Sequence, residues 1–145
     1  MPTPAIRTAT LDDAPELARL LTLLGHCMTT TEVEARWLDW AAAGNSALVA
    51  PGDAGMLLGT AVLHRMHVLH RPRPVGRITA LVVDGAARGM NVGRALVEAA
   101  EVVLEGAGCG LLEITSKVRL VEAHAFYEHL GYERSSVRFS RELER

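Results

Sequence analysis

Aromatic residues are scarce in this 145-residue chain: two Trp, two Tyr and two Phe make up 4% of it. The core must therefore be built mostly from Leu, Val, Ile and Ala. Cysteine is scarcer still. Cys27 and Cys109 stand far apart and in no metal-ligand spacing, which excludes a zinc motif. A chain of this length buries roughly two thirds of its unfolded surface and does not need a disulfide, although a single one stays open. Charge of one sign is also lacking: 15 Lys and Arg face 17 Asp and Glu, a formal net charge of −2. That balance is a poor footprint for a nucleic-acid partner. No apolar stretch approaches the ~18 residues of a membrane span, and Met1–Arg7 carries no apolar leader. These absences predict one domain over residues 1–145, cytoplasmic, with neither nucleic acid nor membrane as its partner.

What the chain does have is 49% hydrophobic residues and 13 glycines, which excludes a disordered chain. Thr10-Leu-Asp-Asp13 reads as a helix start, with Thr10 as cap, two acids at the positive end of the helix dipole and Pro15 in the first turn. Leu17, Leu20, Leu21 and Leu24 then form one apolar face, ended by Gly25. A second helix is predicted from Thr30 or Thr31 through Trp37 and Trp40 to about Ala43. Ser46–Ala50 reads as a short strand. Met56 to about His70 reads as a long extended segment, broken by Pro72 and Pro74. Gly76–Asp84, a near-continuous apolar run with Ile78, Leu81, Val82 and Val83, reads as a central strand buried on both faces. A strong helix after Gly93, a strand at Leu111–Thr115 and a helix over Ala123–Leu130 follow, and Tyr132–Leu143 alternates as a final hairpin strand. The order predicts a mixed α/β (α+β) domain.

The sharpest local feature is the turn between the central strand and the strong helix, Arg88-Gly-Met-Asn-Val-Gly-Arg94. A strand, a glycine-rich turn and a helix N-terminus together present unpaired N–H groups and the positive end of a dipole to an anion such as a phosphate. Arg88 and Arg94 add charge beside them. The same glycines also serve a plain tight connection. No Gly-Lys-Ser/Thr follows, and the G-x-G-x-x-G spacing is missing, so neither a Walker A loop nor a dinucleotide fingerprint is present. Gly106, Gly108 and Gly110 follow a helix and precede a strand, the wrong polarity for phosphate, and read as caps.

Leu81-Val-Val-Asp-Gly-Ala-Ala-Arg-Gly-Met-Asn-Val-Gly-Arg-Ala-Leu96 resembles the acetyl-CoA motif of the GNAT family of N-acetyltransferases, Arg/Gln-x-x-Gly-x-Gly/Ala after a strand. Ile6-Arg7-Thr-Ala-Thr10 with Asp13 is similar to that family's first strand and helix. Glu122-Ala-His-Ala-Phe-Tyr-Glu-His-Leu-Gly-Tyr132 is similar to its A-x-x-F-Y-x-x-x-G-F/Y segment. Three motifs in the right order cover essentially the whole chain. One departure is visible: Asn91 stands where the family's first glycine usually stands, and Asn tolerates the left-handed backbone better than most residues.

The resemblance implies a central, mostly antiparallel sheet flanked by helices and splayed at the acetyl-CoA site. It implies that the backbone of Leu81, Val82 and Val83 pairs with the pantetheine arm of acetyl-CoA, the co-substrate. The amides of Arg88, Gly89, Met90, Asn91, Val92, Gly93 and Arg94 would hold the pyrophosphate, and a backbone N–H on the central strand would polarise the thioester carbonyl. Tyr127, in the Phe126-Tyr127 pair before Gly131, would be the general acid, since its phenol can protonate a leaving thiolate of comparable basicity. Some relatives carry a Glu on the central strand where Thr79 and Ala80 stand here. Glu113, His124 and His70 are substitutes for that base, and none is assigned.

His64, His67 and His70 recur every three residues in an extended segment, and strand alternation splits them between two faces, so no metal site is expected. His70, Arg71, Arg73 and Arg77 form a cationic stretch beside the expected acceptor cleft, suited to an anionic acceptor such as a phosphonate or carboxylate. Arg88–Gly93, Glu122–Tyr127 and Val137–Ser140 resemble most the aminoalkylphosphonate N-acetyltransferase branch. The expected activity is acetyl transfer to the amine of a small molecule. Acetylation of a protein or an aminoglycoside, and a non-catalytic acyl-CoA-binding module, are the alternatives. The family's frequent dimers leave a homodimer open, with the last strand as its edge.

Overall fold

Local signals open the helices. The Thr10 backbone N–H donates to Asp13 Oδ2 at 2.8 Å, and α1 follows over Ala14–Leu24, ending at Gly25. Thr29 and Glu32 form a reciprocal capping box that starts α2, Thr30–Ala42, satisfying two otherwise unpaired amides. The computed structural model describes residues 3–144. The chain divides into two compact units, one through Thr115 and one from Ser116 on.

In the first unit five strands lie side by side in chain order: β1 (Arg7–Thr8), β2 (Asn45–Pro51), β3 (Leu57–Met66), β4 (Val75–Val83) and β5 (Leu111–Ile114). The first three pairings are antiparallel, and β4–β5 is parallel. The crossover between β4 and β5 is α3, Val92–Gly106. This is the mixed, mostly antiparallel sheet flanked by helices that the sequence implied.

Helix α3 packs directly on one face of the sheet, and glycines permit it. A Cβ on Gly59 would stand 3.1 Å from the Val92 and Leu96 side chains, and one on Gly76 would stand 2.8 Å from Leu104. On the other face, Leu17 and Leu20 of α1 join Ala47, Val49 and Val82 in a core cluster flanked by Trp37, Trp40 and Val62. Leu20, Leu63, Ile78 and Leu96 are fully buried, each contributing roughly 1.5–3 kcal/mol of hydrophobic stabilisation. With two Trp half-buried at its margin, the core is aliphatic, as the scarcity of aromatics required.

Strand β4 departs from the expectation of burial on both faces. It pairs with β3 along its length, but the register shifts so that Val62 faces Ala80 while Leu63 faces Ile78, leaving Thr79 as a bulge. It pairs with β5 only over Val75–Ile78. Beyond that point, among the described residues, β4 has one open edge. Val82 remains buried, but Leu81 and Val83 are half-buried and Thr79 is exposed. A run of apolar residues does not disclose how many neighbours a strand has.

Two further expectations are corrected. Strand β3 ends at Met66, so His67 and His70 lie in the connection to β4 rather than on a strand. In the second unit, α4 spans Val121–His129, but Tyr132–Leu143 forms no strand; residues 133–144 are exposed throughout. Alternation of apolar residues does not make a strand without a ladder partner for its backbone. Both cysteines are free, Cys27 exposed and Cys109 buried. Among the described residues no helix is long and apolar enough to cross a membrane.

Candidate active site

The open edge of β4 has a defined polarity. The Asp84 N–H donates to Leu58 O at 2.8 Å across the β3 ladder. Antiparallel pairing alternates, so the amides of Ala80 and Val82 also point to β3, and those of Leu81 and Val83 point to the open edge. The N–H and C=O groups of Leu81 and Val83 are thus presented as the side of a missing strand, able to pair with an extended, amide-containing ligand.

The glycine-rich turn begins where this edge ends. Asp84 Oδ1 accepts the Ala86 N–H at 2.8 Å, Ala87 is buried, and the amides of Arg88 and Met90 donate to Gly85 O and Ala87 O. Gly89 has φ +80°, and Asn91, at φ 58° and ψ 27°, caps α3 in the left-handed conformation. The residue that departs from the family's glycine therefore adopts the backbone a glycine there would favour. Among the described residues, the amides of Gly89, Asn91, Val92, Gly93 and Arg94 donate to no protein acceptor. They lie at the positive end of α3, flanked by the exposed side chains of Arg88 and Arg94, and Arg94 is paired with Glu98 at 2.9 Å. A chain of free amides with two cations is suited to a pyrophosphate.

A brace that sequence reading missed fixes the start of this turn. Arg19 of α1 donates to Asp84 Oδ2 at 2.5 Å, to both carboxylate oxygens of Glu16, and to Leu57 O at 3.0 Å. Glu16 Oε1 in turn accepts the Leu57 N–H at 2.8 Å. The Arg19 guanidinium holds the carboxyl of Glu16 below the usual carboxylate range; the Ala86 amide and then Arg19 do the same for Asp84. The pairing itself pushes Arg19 up. Glu16 and Arg19 at i,i+3 were visible in the sequence, but nothing local ties them to Asp84, 65 positions from Arg19.

The other candidates separate. Arg77 Nε donates to Glu113 Oε1 at 2.9 Å, and its Nη2 donates to the same oxygen. Arg71 and Arg73 instead line a cavity of ≈ 70 Å³ with Pro72, Gly110 and Leu111, and His70 is exposed. The cationic stretch is thus not one wall, because Arg77 is already paired. Thr79 Oγ1 donates to Val62 O at 3.2 Å and sits on the bulge. Among the described residues no cluster of three or more His, Cys, Asp or Glu is placed to hold a metal.

In the second unit, Tyr127 lies on α4, half-buried, with Phe126 edge-on at 5.5 Å between ring centroids. Burial pushes its phenol up from the ordinary value, so it remains a proton donor at neutral pH. On the same helix His124 Nε2 lies 2.8 Å from Lys117 O.

Comparison with known proteins accords with this geometry. A 35% identical match extends over 89 residues of the aminoalkylphosphonate N-acetyltransferase of Salmonella typhimurium, covering 61% of this chain and 58% of that protein. A solved structure from Agrobacterium tumefaciens superposes with a TM-score of 0.85 at 29% identity, over 96% of this chain and 99% of the other. An acetyltransferase from Trypanosoma brucei superposes at 0.84 with 24% identity, over 96% and 99%. The Acetyltransferase (GNAT) family model matches residues 15–132, running through both units. The chain belongs to the Acetyltransferase (GNAT) family.

Proposed function

We propose that the protein is an acetyl-CoA-dependent N-acetyltransferase whose acceptor is a small-molecule amine carrying an anionic group. The observation that carries this reading is the continuity of an open strand edge at Leu81–Val83 with a turn whose amides at Gly89 and Asn91–Arg94 have no protein acceptor. An extended pantetheine matches the first and a pyrophosphate the second. Acetyl-CoA supplies an activated acyl thioester, and this chain's residues supply the rest. Leu81 and Val83 align the pantetheine as an added strand, with Val82 of the same segment packed into the core beneath them. The amides of Gly89 and Asn91–Arg94 hold the phosphates beside the Arg88 side chain, whereas those of Arg88 and Met90, also expected to do so, are spent on Gly85 O and Ala87 O within the turn; Arg19 with Asp84 keeps that turn in place. A β4 amide beside the bulge polarises the thioester carbonyl. As the amine forms its bond to the acyl carbon and the carbon–sulfur bond breaks, Tyr127 gives its phenolic proton to the departing thiolate. The anionic character of the acceptor is supported by the relative named for aminoalkylphosphonates.

The experiment is a thermal shift with acetyl-CoA followed by a thiol-release assay on a panel of amines. A ligand that binds only the folded state at about 100 times its Kd stabilises by about 2.7 kcal/mol, so a rise of several degrees is expected. No rise at millimolar acetyl-CoA overturns the reading.

A further inference from the structure

Four polar side chains form one row across the sheet. Asn45 of β2 is opposite His64 of β3, His64 is opposite Arg77 of β4, and Arg77 is opposite Glu113 of β5; partners in register project from the same face. The adjoining row belongs to α3, since Arg65 Nε donates to Ala107 O at 3.0 Å and Gly76 lies under Leu104. The polar row therefore occupies the opposite face, where Asn45 Nδ2 donates to Trp40 O of α2 at 2.9 Å. Among the described residues, His64 Nδ1 in this row is the buried side-chain polar atom with no hydrogen-bond partner. The row crosses β4 and β5 one residue before they part, after Ile78 and Ile114.

We propose that the Arg77–Glu113 ion pair is the acceptor clamp: a small zwitterionic amine enters it, its anionic group taking Arg77 and its ammonium taking Glu113. This rests on the reading that the thioester lies along the open edge of β4. A co-substrate held at the N-terminus of α3 occupies that helix's side of the sheet and leaves the face of the polar row to the acceptor. The pair is accessible, with the two side chains 34% and 37% exposed, and an ion pair so exposed adds little to stability, so exchanging partners costs little. A zwitterion replaces both charges at once. A plain amine takes Glu113 and leaves the guanidinium without a partner, whereas a guanidinium fork matches a phosphonate or a carboxylate in two hydrogen bonds. The row then sets the amine at the foot of the cleft, where the bulge at Thr79 opens the backbone.

The test is calorimetric titration of 2-aminoethylphosphonate, β-alanine and propylamine into the protein, with and without CoA. The first two arms separate phosphonate from carboxylate, and the third lacks an anion. Arg77→Gln is expected to lower the affinity ratio of the better anionic amine to propylamine at least about tenfold, the loss of a charge-assisted pair. Glu113→Gln is expected to weaken all three. The exchanged pair R77E/E113R keeps the bridge between the strands and, because so exposed a pair adds little, is expected to melt as the wild type does. An unchanged ratio in Arg77→Gln, or no binding of either zwitterion to the wild type, overturns the proposal. Failure of acetyl-CoA to stabilise the protein, with zwitterion binding intact in the titration without CoA, would instead count against the reading of the cofactor edge.

Discussion

The two halves of β4 belong to one strand and are opposite in what their backbones are free to do. Over Val75–Ile78 the strand is laddered on both sides, to β3 and to β5; over Ala80–Val83, among the described residues, it is laddered to β3 alone. In the first half each amide serves the fold. In the second, Leu81 and Val83 have one edge unpaired among the described residues, the edge proposed for the co-substrate, while Val82 stays buried with α1. On the proposed function, stability and binding are thereby separated along nine residues, with the Thr79 bulge as the border. The fold can hold an unpaired edge here because α1 and α3 cover the two faces of the strand and leave its edge open.

Proline substitution tests this division most severely. Ile78→Pro removes a fully buried side chain from the doubly paired half and puts a ring where ladder bonds run on both sides. It is expected to cost more than about 3 kcal/mol and yield no cooperative thermal transition by circular dichroism. Leu81→Pro removes an N–H that points to the open edge, so the protein is expected to melt cooperatively while losing its stabilisation by acetyl-CoA. Equal damage from the two substitutions would break the comparison.

The brace at Asp84 is the next largest effect. Arg19→Met leaves Glu16 and Asp84 without their cation and is expected to lower the melting temperature at pH 7 by a few degrees. The sign of the pH dependence follows from the direction of the shifts. Both carboxyls are held below their ordinary values, so their contribution is present above pH ~4 and is lost as pH falls through the lowered values. Melting temperatures taken from pH 7 to pH 3 should fall less steeply in Arg19→Met than in the wild type. Parallel curves would show that the network does not set the acid limb.

In the proposed mechanism the open edge aligns the thioester but does not protonate it, so the departing thiolate takes its proton from another element. Tyr127→Phe is expected to lower kcat at least about tenfold, roughly 1.4 kcal/mol in the barrier, with acetyl-CoA binding unchanged. Because burial pushes this phenol up, wild-type turnover should show no loss from Tyr127 deprotonation below its ordinary value near pH 10. Unchanged turnover in the variant would remove Tyr127 from the mechanism.

The sequence made legible what is encoded locally. The helix start at Thr10, the stop at Gly25 and the strand–turn–helix around Gly89 each depend on a few neighbouring residues, and all were readable; the second helix was placed at Thr30 or Thr31, its cap at Thr29 unread. The bulge at Thr79 was not, because it is a mismatch of register against β3 and exists only once the partner strand is placed. The open edge was not deducible from residue types either, since Leu81-Val-Val83 would look the same with a neighbour on each side. Long-range pairs were equally silent. Arg77 read as one more cation in a basic stretch until the sheet set it against Glu113, 36 positions away. Tyr132–Leu143 shows the converse failure: period-two alternation stated a preference, and the absence of a ladder left it unrealised.

The smallest expected effect bears on the turn that continues the open edge. Asn91 holds φ 58° with no side-chain cap bond, a conformation that costs most side chains about 1–2 kcal/mol and asparagine less. Asn91→Ala should therefore lose about 1 kcal/mol of stability, while Asn91→Gly relieves the strain and adds unfolded-chain freedom, leaving the melting temperature nearly unchanged. Both variants keep the backbone amide, so if the turn binds phosphate through N–H groups alone, acetyl-CoA affinity in Asn91→Gly should remain within about threefold of wild type. A tenfold gain would show that the Asn side chain narrows the approach to the pyrophosphate. A tenfold loss would show that the side chain is itself a ligand, and the site would then not be a backbone site throughout.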